Sequence, residues 1–126
     1  MRKQYHFWPG ASGRAYDAWD VDRLIELTRG FPVVDAALDS IWELDVDYWS
    51  ESGSGATPRV LVTHMRLVEE VDPAYPIILG PDGRVMDGMH RVCRALLEGR
   101  TTIAAVRFDA LPTPDYRDVQ PDDLPY

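Results

Sequence analysis

The run from Pro76 to Gly99 constrains the fold of this chain more than any other segment. Pro76-Ile77-Ile78-Leu79 is short, apolar and bounded by turn residues, as a buried strand would be. Gly80-Pro81-Asp82-Gly83 places Pro and Gly where a tight reversal needs them, and Arg84-Val85-Met86 reads as the returning strand. Asp87-Gly88 interrupts it. Residues 89–98 then carry Val92, Ala95 and Leu96 at helical spacing, and Gly99 supplies a left-handed stop. Thr102 to Phe108 is rich in β-branched residues and predicts another strand. Upstream, Thr57-Pro58 is an N-cap followed by proline at the first helical position. It predicts a helix over 58–71 with Leu61, Met65 and Val68 inward, ended by Asp72-Pro73. The pattern points to a small α/β (α+β) domain, a mixed sheet covered by helices.

The first half is less regular. Residues 1–16 read as an irregular polar and aromatic arm, with His6 joining Phe7 and Trp8 in an aromatic clamp. Asp17 to Arg29 predicts a short helix stopped by Gly30 and Pro32. Phe31 to Leu38 reads as an edge strand, and Asp39 to Leu44 as a helical turn capped by Asp39. Trp42, Tyr48 and Trp49 are expected in the core or, alternatively, beside an anion site where their rings would stack a base, and Ser50 to Gly55 in a flexible loop. The tail 109–126 holds four prolines among acids and is expected to wrap the surface. At 126 residues the chain reads as a single domain, 1–126. No window approaches the roughly 20 apolar residues of a membrane span. The N-terminus has no apolar stretch behind Arg2 and Lys3, so a cytoplasmic protein is expected. One cysteine, Cys93, excludes an internal disulfide and a cysteine-rich metal site; it is expected to pack as a small apolar residue and to point away from the position of Met89.

The formal charge of −8 argues against a protein that wraps a nucleic-acid backbone. Its distribution says more. Residues 35–51 carry six acids and no base, and residues 109–126 carry five acids against Arg117 alone. Between them, Arg84, Arg91, Arg94, Arg100 and Arg107 face only Asp87 and Glu98. The basic island suggests a local anion site; alternatively, these arginines pair with the surplus acids.

Asp87-Gly88-Met89-His90-Arg91 opens a predicted helix, whose first turn has backbone N–H groups without intrahelical partners. Gly88 permits close approach of a ligand, Arg91 offers a planar fork of donors, and His90 a donor or proton carrier. Together they would bind phosphate. Asp87 would repel a bare anion unless it holds a metal, takes a proton or caps the helix. The alternative needs no ligand: Asp87 caps and Arg91 forms a surface ion pair. His64 is expected to be partly buried packing rather than a ligand.

The strand Pro76–Leu79, the string Asp82-Gly83-Arg84-Val85-Met86-Asp87-Gly88-Met89-His90-Arg91, the following helix with Gly99, and Ile103-Ala104-Ala105-Val106 resemble the ParB/sulfiredoxin-like superfamily over residues 57–108. The resemblance implies a phosphate-binding turn at Gly88, Met89, His90 and Arg91. It implies ATP, ADP or CTP as ligand with Mg²⁺ at Asp87. It also implies a small phosphotransferase or nucleotide hydrolase with Asp87, His90 and Glu43 as catalytic candidates, acting on a nucleotide or phosphorylated small molecule. Met89 stands where sulfiredoxins carry their reactive cysteine, and no helix-turn-helix follows as in ParB. The alternative is a non-catalytic accessory protein that meets a basic partner through its acidic segments.

Overall fold

The structure, a computed structural model, describes residues 3–49 and 56–126. Strands β1 (Tyr5–Pro9) and β2 (Tyr16–Asp20) form an antiparallel hairpin, and helix α1 (Val21–Leu27) follows directly. Then come β3 (Val34–Ala37), two 3-10 turns over Leu38–Ser40 and Trp42–Asp45, helix α2 (Pro58–Glu70), and β4 (Ile77–Leu79). Strand β5 (Val85–Asp87), helix α3 (Met89–Leu97), β6 (Thr102–Arg107) and β7 (Tyr116–Val119) complete the chain. Strands β1-β2-β7 form one sheet and β3-β6-β4-β5 another. In the second, β4 and β6 run parallel and the remaining pairs antiparallel, so it is the mixed sheet of an α+β fold.

Strands β4, β5 and β6 are apolar on both faces, and their alternation builds two cores. Ile77, Leu79, Val85 and Ala105 point to a core closed by Met89, Val92 and Ala95 of α3, with Leu38 and Ile41. Ile78, Met86 and Val106 point the other way, where Trp19, Leu24 and Phe108 meet them. The expected strands at 76–79, 84–86 and 102–108 are therefore present within a residue or so, and the edge strand expected over 31–38 is the shorter β3. The turn between β4 and β5 closes through Gly83 N–H to Gly80 O at 3.0 Å, with Gly83 in the left-handed region.

The first half departs from expectation. Residues 5–9 form a strand, not an irregular arm, and residues 16–20 are strand rather than helix. They pair with one another and, through β2, with β7 in the tail. Ladder hydrogen bonds between distant segments outweigh the local helical spacing of Trp19 and Leu24. The tail is anchored further by Trp19 Nε1 donating to Pro112 O at 2.8 Å and Arg23 Nη1 to Thr113 O at 2.8 Å. Asp39 makes no capping bond. Trp42 is half exposed, whereas Tyr48 and Trp49 pack against the first core. The expected loop at Ser50 to Gly55 lies outside the described residues.

Helix α2 starts at Thr57, whose hydroxyl accepts from Val60 N–H. The face it turns inward is Val60, His64 and Val68, while Leu61 and Met65 are exposed. The Leu61/Met65/Val68 stripe is thus mostly outward. Apolar residues occur on both sides of this helix, and packing against α3 selects the side that carries His64. On α3, Leu96 is exposed while Val92 and Ala95 are buried. No helix among the described residues is long and apolar enough to cross a membrane.

Candidate functional site

The turn from β5 into α3 is built around Gly88, at φ 107°. A Cβ there would lie 2.7 Å from Ile77 Cγ2 and 2.7 Å from Arg91 Nη2. Only glycine therefore fits, both by torsion and by space. Gly88 is the N-cap residue, and no side chain caps the helix. Asp87 does not cap α3, because its carboxylate turns to Arg91. Arg91 Nη2 donates to Asp87 Oδ2 at 3.0 Å and to Pro76 O at 3.4 Å, and both side chains are 15% exposed. The pair is partly sheltered, not a surface ion pair. Arg91 Nε is buried without a partner among the described residues.

Asp87 and Arg91 stand in the wall of a cavity of about 420 Å³ on the face of the second core. Ile78 and Val106 line its base, and Arg29, Phe31 and Tyr75 join from the segments after α1 and before β4. Arg29 is exposed and pairs with Glu26 at 3.3 Å. Neither Arg29 nor Tyr75 carries a signal in the sequence, since each reaches the site from a connecting segment.

His90 faces elsewhere. Its Nε2 lies 2.9 Å from His64 Nδ1, so one ring donates and the other accepts. Trp49 stacks on both, with ring centroids 4.2 Å from His64 and 5.3 Å from His90. Burial lowers the pKa of both histidines, and for His90 the nearby His64 and Arg91 charges add to the effect. The Val60/His64/Val68 spacing is the sequence signal that would have placed His64 inward.

Glu43 is buried on the other side of the sheet. Its Oε2 accepts from Val85 N–H at 2.8 Å, and Oε1 has no partner among the described residues. Burial pushes its carboxyl pKa upward against the backbone hydrogen bond. Glu43 lines a separate cavity of about 180 Å³ with His64, Met89 and Cys93. Met89 and Cys93 share this cavity, contrary to the expectation that Cys93 points away from Met89's position; residues four apart lie on one helical face. Burial raises the Cys93 thiol pKa. The candidate residues thus divide: Asp87 and Arg91 converge on one cavity, Glu43 and Met89 on the other, and His90 bridges the helices.

The basic island is largely consumed by contacts within the fold. Arg84 pairs with Asp82 at 3.0 Å and stacks 3.6 Å from the Trp8 ring, and Arg94 pairs with Glu98 at 3.3 Å. Arg107 donates to Pro81 O at 2.9 Å. No group of three His, Cys, Asp or Glu side chains among the described residues could hold a metal ion by itself. The chain matches no family model, no curated protein and no solved structure.

Proposed function

We propose that the protein binds a phosphorylated ligand, of which ATP, ADP or CTP are the probes, in the cavity walled by Asp87 and Arg91. The observation that carries this reading is Arg91 itself. Both of its hydrogen bonds leave from Nη2, while Nε is buried without a partner among the described residues. A phosphate oxygen would recover that desolvated donor. Arg29 adds a second cation, and Tyr75 and Phe31 give flat apolar surface. The resemblance to the ParB/sulfiredoxin-like superfamily adds to this reading. Mg²⁺ commonly binds through one or two carboxylates together with substrate phosphates. Asp87, beside Arg91, fits that role; the ion would neutralise phosphate charge there.

Calorimetry with ATP, ADP and CTP, with and without Mg²⁺, tests the proposal. Arg91→Ala should weaken binding by roughly 1.5–3 kcal/mol, the range for a charged hydrogen bond, and Arg29→Ala by less because Arg29 is exposed. Wild-type protein that binds none of the three nucleotides overturns it. Asp87→Asn separates a binder from a phosphotransferase or nucleotide hydrolase. Without Mg²⁺ a binder keeps or gains affinity, whereas an enzyme with Mg²⁺ loses turnover.

A second reading, an accessory protein with a basic partner, is favoured by Asp35, Asp39, Asp45 and Asp47. All four are exposed and none forms an ion pair among the described residues. Absence of nucleotide binding in the same titrations would favour it.

A further inference from the structure

We infer that the cavity between the Trp42–Trp49 segment and helices α2 and α3 is a binding site for a small organic cation, an ammonium group on an aromatic or alkyl body. It is independent of the nucleotide proposal, because none of its lining residues lines the Asp87/Arg91 cavity.

The lining fixes the chemistry. Two acidic residues, Glu43 and Asp47, line this cavity, and no Lys or Arg among the described residues does. An anion would therefore meet two acidic side chains and, among the described residues, no Lys or Arg to offset them. Glu43 is 4% exposed, and its Oε1 has no hydrogen-bond partner among the described residues. A buried acceptor without a donor costs free energy that a ligand N–H can recover. The remaining walls are mostly apolar and aromatic, Leu44, Leu61, Tyr48 and Trp49 among them. Aromatic faces attract cations, more so where water is excluded. A bare metal ion fits poorly, since no three ligating side chains converge. The volume, about 180 Å³, suits a small molecule rather than a peptide.

The test uses 2-phenylethylammonium chloride as probe and the full chain. The Trp49 indole and His64 ring signals are followed by NMR. A saturable shift of both is expected below roughly 10 mM, the range where a few favourable contacts suffice. The neutral isostere 2-phenylethanol should bind about tenfold more weakly, the loss of one charged hydrogen bond. Glu43→Gln should show a similar loss, because the amide keeps an acceptor for Val85 N–H but no longer carries the charge. Asp47 is exposed, so Asp47→Asn should cost less than Glu43→Gln. Should Glu43→Gln fail to fold, the amine and alcohol comparison on the wild type decides alone. Equal binding of amine and alcohol, or no shift with either, overturns the inference.

Discussion

His6 illustrates how a single buried ring sets an acid limit. It lies within ring-stacking distance of Trp8 and Trp19, at 6.5 and 5.5 Å, and its Nε2 has no partner among the described residues. Burial, with the Arg84 charge nearby, lowers its pKa from 6.5 to about 4. In the unfolded chain the ring takes up a proton as pH drops below 6.5, while the folded ring resists until about 4. The unfolded state therefore binds more protons in that window, and stability falls with falling pH. The full effect is roughly 3 kcal/mol. His6→Phe keeps the packing and removes the proton site, so its urea-melt stability should fall less between pH 7.5 and 4.5. His64 and His90 shift in the same direction and leave a residual slope. An unaltered pH dependence in the variant would remove His6 from this role. The sequence placed His6 among aromatic rings because Phe7 and Trp8 adjoin it. Its nearest ring partner, Trp19, was hidden in what reads as a helix.

At the scale of elements, α2 is the least anchored helix. None of its residues is buried, and two side chains of α3 hydrogen-bond to it. One is His90, through His64. The other is Arg94, whose Nη1 donates to Glu69 O at 2.8 Å and Val68 O at 3.4 Å at the end of α2. A cation at a helix C-terminus meets carbonyls without intrahelical partners and the negative end of the dipole. Arg94→Met keeps the packing stem and should cost about 1–2 kcal/mol. The loss should be local: amide exchange across α2 quickens while β4 and β6 keep their protection. Unchanged exchange in α2 would show that Arg94 contributes nothing there. The start and end of α2 were legible because Thr57-Pro58 and Asp72-Pro73 act locally. Its inward face was not. Val60, Leu61, Val62, Met65, Leu67 and Val68 leave two apolar stripes, and only α3 decides between them. For β2 and β7 the obstacle is distance: Ala18 pairs with Tyr116, and neither segment carries a signal of the other.

The whole molecule is organised about one sheet with a core on each face. Neighbouring residues of β4 serve different cores, Ile77 beneath α3 and Ile78 against Trp19 and Leu24. Removing either side chain should cost about 2–5 kcal/mol. Because both cores share β4 and β6, the loss should not stay on its own face. In Ile77→Ala the NMR signal of the Trp19 indole, which lies in the other core, should disappear in the same urea transition as the helical circular dichroism. A Trp19 signal that outlasts the helices would mean that the β1-β2-β7 sheet and its core fold separately. Residues 76–108 were legible at this scale because turn, strand and helix signals there are consecutive and local. The two-sided burial of β4 was already implied by its unbroken Ile-Ile-Leu.

Strand β5 lies at the rim of its sheet, paired only with β4. Such a rim offers N–H groups to any passing extended chain, and proteins guard against this with charge, bulges or cover. Here the guard is one side chain from far away in sequence: Glu43 takes the Val85 N–H that a further strand would otherwise take. The carboxylate imitates a neighbour's carbonyl and brings no donor-acceptor ladder with it, so pairing stops at β5. A chain of this fold with an apolar residue at 43 would retain its cores yet present an unclaimed strand edge. It would lose stability through that unclaimed N–H as well as solubility through association between copies.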